Sequence, residues 1–227
     1  MVRGGLSLEG LSKEVQKKLR LPPDIPTDLQ LTASTAKDEH NPHSFYVTLS
    51  GPLVLGSVKV KIELWRTDAK ALKSLEVKVS TVANSSGQAF VPTLTLHEIF
   101  ADKVYALGAR NRIKPRDVFD LWWLCEKEKQ QLSMDALRTR LHIYPDAGGN
   151  VISTAAAWLV NAGKRLKELK APSTAKYVSQ DLKRWLPSSW RVDEKVSLDM
   201  VQLSIAYLEA GIELMREFAL PSKGKKK

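Results

Sequence analysis

A lysine, two arginines and two aspartates gather around one short turn of this chain: Lys103 and Arg110 precede it, and Arg116, Asp117 and Asp120 follow. Cations crowded in this way attract phosphate through charge, with a dependence on salt and none on sequence. Carboxylates are the ligands magnesium takes, and phosphoryl transfer relies on positioning and charge neutralisation by such groups. Taken singly, each residue also has an ordinary structural reading. Lys103 reads as a solvated helix lysine, Asp117 as a first-turn carboxylate favoured by the helix dipole, and Arg116 with Asp120 as a surface pair one helical turn apart.

Two helices must position these groups. The first begins near Thr95 or His97 and runs to about Arg110, with Glu98 in its opening turn. At helical spacing Ile99, Lys103, Ala106 and Arg110 share one face, while Phe100, Val104 and Leu107 share the next. Pro115 suits the first position of the second helix, where its missing N–H would have no partner. Val118, Leu121, Trp122 and Cys125 form the core stripe of that helix, which leaves Asp117 and Asp120 on the far side, toward a cleft or water.

Upstream, strand alternation dominates. Ser44 to Ser50 reads as a strand. From Gly56, Val58, Val60, Ile62 and Leu64 fall on one face and Lys59, Lys61, Glu63 and Trp65 on the other. Lys61 and Glu63 therefore share the polar face of one strand, a pattern that also describes an ordinary solvated sheet. Leu75, Val77 and Val79 mark a further strand, closed by the turn at 84–87. Leu11 to Leu19 reads as a short helix that Pro22, Pro23 and Pro26 end. Beyond Glu128 the pattern is helical throughout: Ser133 to Leu141, Ser153 to Leu169, Tyr177 to Leu186 and Ser197 to Phe218. In the last, Leu198, Val201, Ile205, Leu208, Ile212 and Met215 form a packing seam, and Trp158, Trp185 and Trp190 read as core or interface aromatics.

The run Leu96, Glu98, Ile99, Ala101, Lys103, Ala106, Leu107 and Arg110, then Arg116, Asp117, Asp120 and Leu121, resembles the two C-terminal motifs of the AbiEii/AbiGii toxin family. Lys61-Ile62-Glu63-Leu64 is similar to the second motif of those nucleotidyltransferase-like proteins, and the match spans about residues 44–124. The resemblance implies an α+β fold of the DNA polymerase β nucleotidyltransferase type, a mixed sheet with flanking helices followed by a helical bundle. It implies the toxin of a toxin–antitoxin pair used in abortive phage defence, one that moves a nucleotide from a nucleoside triphosphate to an RNA or protein acceptor. By the same resemblance Glu63, Lys103 and Asp117 are the catalytic candidates. Lys61, Lys103, Arg110 and Arg116 would bind nucleotide, and Asp120 would support them. Magnesium and a nucleoside triphosphate are the implied cofactors, and an antitoxin is the implied partner. The polar face bearing Lys59, Lys61 and Glu63 is then expected to look toward the helix of Lys103.

One departure from the family matters. Its members open with a Gly-Gly or Gly-Ser turn followed by two carboxylates one residue apart, which hold the metal ions. Here Gly4-Gly5 is followed by Asp24 and Asp28, and Gly56-Ser57 leads into a strand. Either the chain begins after that first motif or the metal site has been lost. Glu63 remains the metal-ligand candidate, and one glutamate holds magnesium poorly. The chain alone is therefore expected to bind nucleotides but transfer them feebly. The alternative functions are an inactive relative that binds nucleotide, RNA or a partner protein, and a plain basic helical interaction module.

Composition agrees with a globular chain. Its 227 residues are enough for a substantial core, with an α/β region expected over 1–128, a helical domain over 129–220 and a basic tail over 221–227. Of the net charge of +10, four charges are tail lysines, which leaves +6 elsewhere. Arg112 and Lys114 in the turn add to a basic patch that suits nucleotide or RNA. The single cysteine, Cys125, permits no internal disulfide and fits a cytoplasmic setting. No apolar run approaches the ~20 residues of a membrane span. His40 and His43 lack the neighbours of a zinc site.

Overall fold

Alternating residues build a small antiparallel sheet from β1 (Gln30–Thr35), β2 (Phe45–Ser50) and β3 (Ser57–Ile62), in that spatial order. The computed structural model describes residues 10, 13–14, 17–18, 28–35, 44–52, 57–64, 69–84, 87–143, 154–187, 189–190 and 192–219. Register pairs Leu49 with both Leu31 and Val58, and Val47 with both Ala33 and Val60. Directly opposed residues share a face, so one side of the sheet is apolar and the other carries Thr48, Lys59 and Lys61. Val58 and Val60 are nevertheless more than half exposed, while Phe45 on the same face is fully buried. A second sheet pairs β4 (Val77–Asn84) with β5 (Gly87–Leu94). Of the early helix expected over 11–19, the described residues Lys13, Glu14, Lys17 and Lys18 are helical, as is Gly10 just before it. The expected Pro-rich linker, His40, His43, Gly4-Gly5, Asp24 and the tail lie outside the described residues.

Helices α1 (Ala69–Lys73), α2 (Leu96–Ala109), α3 (Pro115–Glu126), α4 (Met134–Ile143), α5 (Ala155–Leu169), α6 (Thr174–Leu182) and α7 (Glu194–Ala219) complete the order. Packing separates two units, 1–67 with 79–92, and 68–78 with 93–227. The boundary expected at 128 therefore differs from the observed division. Phe100, Val104 and Leu107 of α2 and Leu121 of α3 share one apolar cluster with Trp158 of α5 and Leu208 of α7. Helices that bury their stripes against one another belong to one unit, whatever motif they carry. The α+β class holds.

Local chemistry sets the helix ends. Thr95 caps α2 by accepting from the Glu98 N–H at 3.4 Å, and Thr154 caps α5 by accepting from the Ala157 N–H at 3.2 Å. Pro115 opens α3 as its sequence position requires. Trp158 donates its indole N–H to the Tyr105 carbonyl at 3.0 Å, and its ring lies so close to Gly108 that a Cβ there would stand 2.4 Å from the indole. The glycine is what permits α2 and α5 to approach. On α7 the buried residues include Ser197, Val201, Ser204, Leu208, Gly211 and Met215, while Leu198 is exposed. Of the expected seam Val201, Leu208, Ile212 and Met215 are buried, Ile205 is half-buried and only Leu198 is exposed, while Ser197, Met200, Ser204 and Gly211 widen the buried face.

Candidate functional site

The α2–α3 pair brings Lys103, Arg110, Asp117 and Asp120 together. Lys103 Nζ lies 2.5 Å from Asp120 Oδ2 and donates to Asp117 Oδ1 at 3.3 Å. Arg110 Nη1 sits 2.7 Å from Asp117 Oδ2, a charge contact without the alignment of a hydrogen bond. The side chain of Asp117 is only 4% exposed, against 36% for Asp120 and 24% for Lys103. Asp117 was expected to point to a cleft or to water; instead α2 packs along that flank and its two cations cover the carboxylate. Arg116 does not pair with Asp120. Its guanidinium lies over the Trp185 ring, 4.7 Å from the centroid.

Electrostatics follow from this geometry. Burial works against the charge of Lys103, but the hydrogen bond to Asp120 and the charges of Asp117 and Asp120 outweigh it and hold its pKa above the ordinary lysine value of 10.5. Lys114 behaves in the opposite way. Burial, then the nearby Arg110, with smaller contributions from Arg116 and Arg112, pushes its pKa down against the pull of Asp117. Burial first, and the neighbouring cations second, disfavour the charge of this lysine.

A feature unread in the sequence holds this turn in shape. Asn161 donates its side-chain amide to the Gly108 carbonyl at 2.7 Å and to the Arg110 carbonyl at 3.0 Å. Arg165 donates to the Asn111 carbonyl, and Glu168 accepts from the Ile113 N–H at 3.3 Å. The three residues are spaced by four and three along α5, so they form one polar stripe, and that spacing was the available signal. At the other end of α2, Arg140 of α4 is 1% exposed and donates to both the backbone carbonyl and Oε2 of Glu98 at 2.5 Å. Glu98 Oε1 accepts from the Glu76 N–H at 3.0 Å. Glu98 thus serves a buried ionic link as well as the helix dipole.

Next to Lys103 the helical unit opens a pocket of about 430 Å³ lined by Ile99, Lys103, Phe119, Asp120, Trp123 and Trp190 among others. Trp158 is a core residue as expected, whereas Trp185 is 59% and Trp190 37% exposed. Both lie in the connection between α6 and α7, at the surface.

In the sheet unit, Lys61 Nζ and Glu63 Oε1 pair at 2.6 Å near the end of β3. Glu63 and Lys103 belong to different units. Among the described residues no group of three or more His, Cys, Asp or Glu could hold a metal ion. Glu63, Asp117 and Asp120 are each engaged by a cation, so the described donor set does not fit a magnesium cage. Nor is any helix among the described residues long and apolar enough to cross a membrane.

Comparison with known proteins agrees with the motif pattern. No curated protein and no solved structure matches the chain. A family model described as the nucleotidyl transferase AbiEii toxin of type IV toxin–antitoxin systems matches residues 7–197. That match covers most of the sequence, including the Lys61-x-Glu63 strand and the whole α2–α3 constellation, and the chain belongs to the AbiEii nucleotidyl transferase toxin family.

Proposed function

We propose that this chain binds a nucleoside triphosphate through Lys103, with Arg110 and Arg116 as further phosphate contacts, as the toxin partner of an antitoxin. The observation that carries the reading is the crowded turn. Four cations, Arg110, Arg112, Lys114 and Arg116, lie within seven residues, and the pKa of Lys114 is depressed partly by the other three. An arriving polyphosphate relieves that repulsion, which is a favourable contribution tied to anion binding at this place. Nucleotide transfer to an RNA or protein acceptor is the reaction class of the proposal. A second reading, binding without efficient transfer, is favoured by the engagement of Asp117 and Asp120 with cations.

The test is to incubate the purified chain with labelled nucleoside triphosphates, with and without magnesium, and to measure both retention of nucleotide and labelling of total RNA or protein. Retention is expected, with Lys103→Ala reducing it at least about tenfold, the scale of one lost charge-assisted contact. Transfer is expected to be feeble. Robust magnesium-dependent labelling overturns the second reading, and absence of triphosphate binding overturns both.

A further inference from the structure

The pocket beside Lys103 is aromatic on one side and charged at few points. Phe119, Trp123 and Trp190 form a continuous wall, with the Trp190 centroid 5.3 Å from that of Trp123 and 5.5 Å from that of Phe119. Lys103 and Asp120 are the charged residues of its lining. Its volume of about 430 Å³ lies within the range of small-molecule sites, roughly 300 to 1,000 Å³. The chain buries Trp158 completely, yet leaves Trp190 over a third exposed at this wall. An indole held in place by two other rings presents a flat apolar surface at little further cost in side-chain freedom.

We propose that the Trp123 and Trp190 wall is the nucleobase subsite for the triphosphate whose phosphates Lys103 contacts. The proposal rests on the nucleotide reading above and names the part of the site that recognises the base. Every base has a π face, so stacking on an indole binds it without selecting its sequence identity. Asp120, with a partly exposed carboxylate in the same lining, supplies an acceptor for base N–H or ribose hydroxyl donors. The lysine places the charged end of the ligand, and the rings place the flat end.

The experiment titrates the full chain with each of the four common nucleoside triphosphates and, in parallel, with inorganic tripolyphosphate, following heat and indole fluorescence. The triphosphates are expected to bind more tightly than tripolyphosphate and to change indole emission in a way that tripolyphosphate does not. Trp190→Ala should weaken triphosphate binding about tenfold, the scale of one lost base–aromatic stack, and leave tripolyphosphate binding unchanged. Trp190→Phe, which keeps a ring against Trp123 and Phe119, should retain most of the affinity and guards against a folding artefact. Unchanged triphosphate affinity in Trp190→Ala overturns the subsite while leaving the nucleotide reading intact, and is the result expected if the wall instead receives an apolar side chain of a partner protein. Tripolyphosphate binding as tightly as any triphosphate also overturns it. Failure of the native chain to bind any of these polyphosphates removes the nucleotide reading and the subsite together.

Discussion

Lys103 illustrates how a single group answers to its partners more than to its burial. Desolvation alone would lower its pKa, yet Asp120 and Asp117 at 2.5 and 3.3 Å raise it above 10.5. A cation whose folded pKa is raised stabilises the fold fully below the unfolded value, and that contribution vanishes as pH climbs through the folded value. The stability difference between the native chain and Lys103→Met should therefore stay constant from neutral pH to about pH 10 and shrink above it. Tyr105 and Tyr207, both pushed up to about 12 chiefly by burial, lose stability over the same alkaline range. Subtracting the variant cancels their effect. Chemical denaturation at a series of pH values is the measurement, and a difference that persists undiminished to about pH 12 would show that the lysine charge does not sustain the cluster. The proximity of Lys103 to Asp117 was legible from helical spacing and a short turn. The burial of Asp117 was not, because an apolar stripe counted along α3 says nothing of the helix that crosses its other flank.

At the scale of elements, the turn between α2 and α3 is shaped from outside. The carbonyls of 108, 110 and 111 accept hydrogen bonds from α5, which supplies the donors from Asn161 and Arg165. Asn161→Ala removes two of those half-buried bonds and should cost about 1–2 kcal/mol of stability, the lower part of the range for acceptors left unmatched. The same variant should weaken triphosphate binding, since Arg110 loses the constraint on its own carbonyl, whereas an exposed substitution on α5 away from this stripe, such as Lys167→Ala, should do neither. Equal nucleotide affinity in Asn161→Ala and the native chain would separate the turn from the site. Sequence patterns exposed α2, α3 and α5 themselves with boundaries within a few residues, since caps at Thr95 and Thr154 and Pro115 mark them. They did not expose β1 or β5. The first mixes threonine and serine into its alternation, and Pro92 interrupts the second, so neither shows the clean period of β3.

Across the whole chain, stability is unevenly distributed between the two units. Nearly all the buried apolar residues described belong to the helical unit, where Phe100, Trp158, Met200 and Leu208 are at most 1% exposed. In the three-stranded sheet Phe45 is buried, but Val58 and Val60, which share its face, are 53% and 55% exposed. Transfer free energy scales with the area withdrawn from water, so the same kind of deletion should register very differently in the two places. Leu208→Ala is expected to cost about 2–5 kcal/mol, the range for a leucine lost from a packed core. Val60→Thr keeps the β-branched shape that suits a strand, and for an exposed position should change stability by no more than about 0.5 kcal/mol. Urea unfolding of both variants, followed by far-ultraviolet circular dichroism, makes the comparison directly. A loss at Val60 comparable to that at Leu208 would mean that another surface covers the apolar face of the sheet in solution. In that case a hydroxyl would be buried there without a partner, and the sheet would count among the packed parts of the molecule.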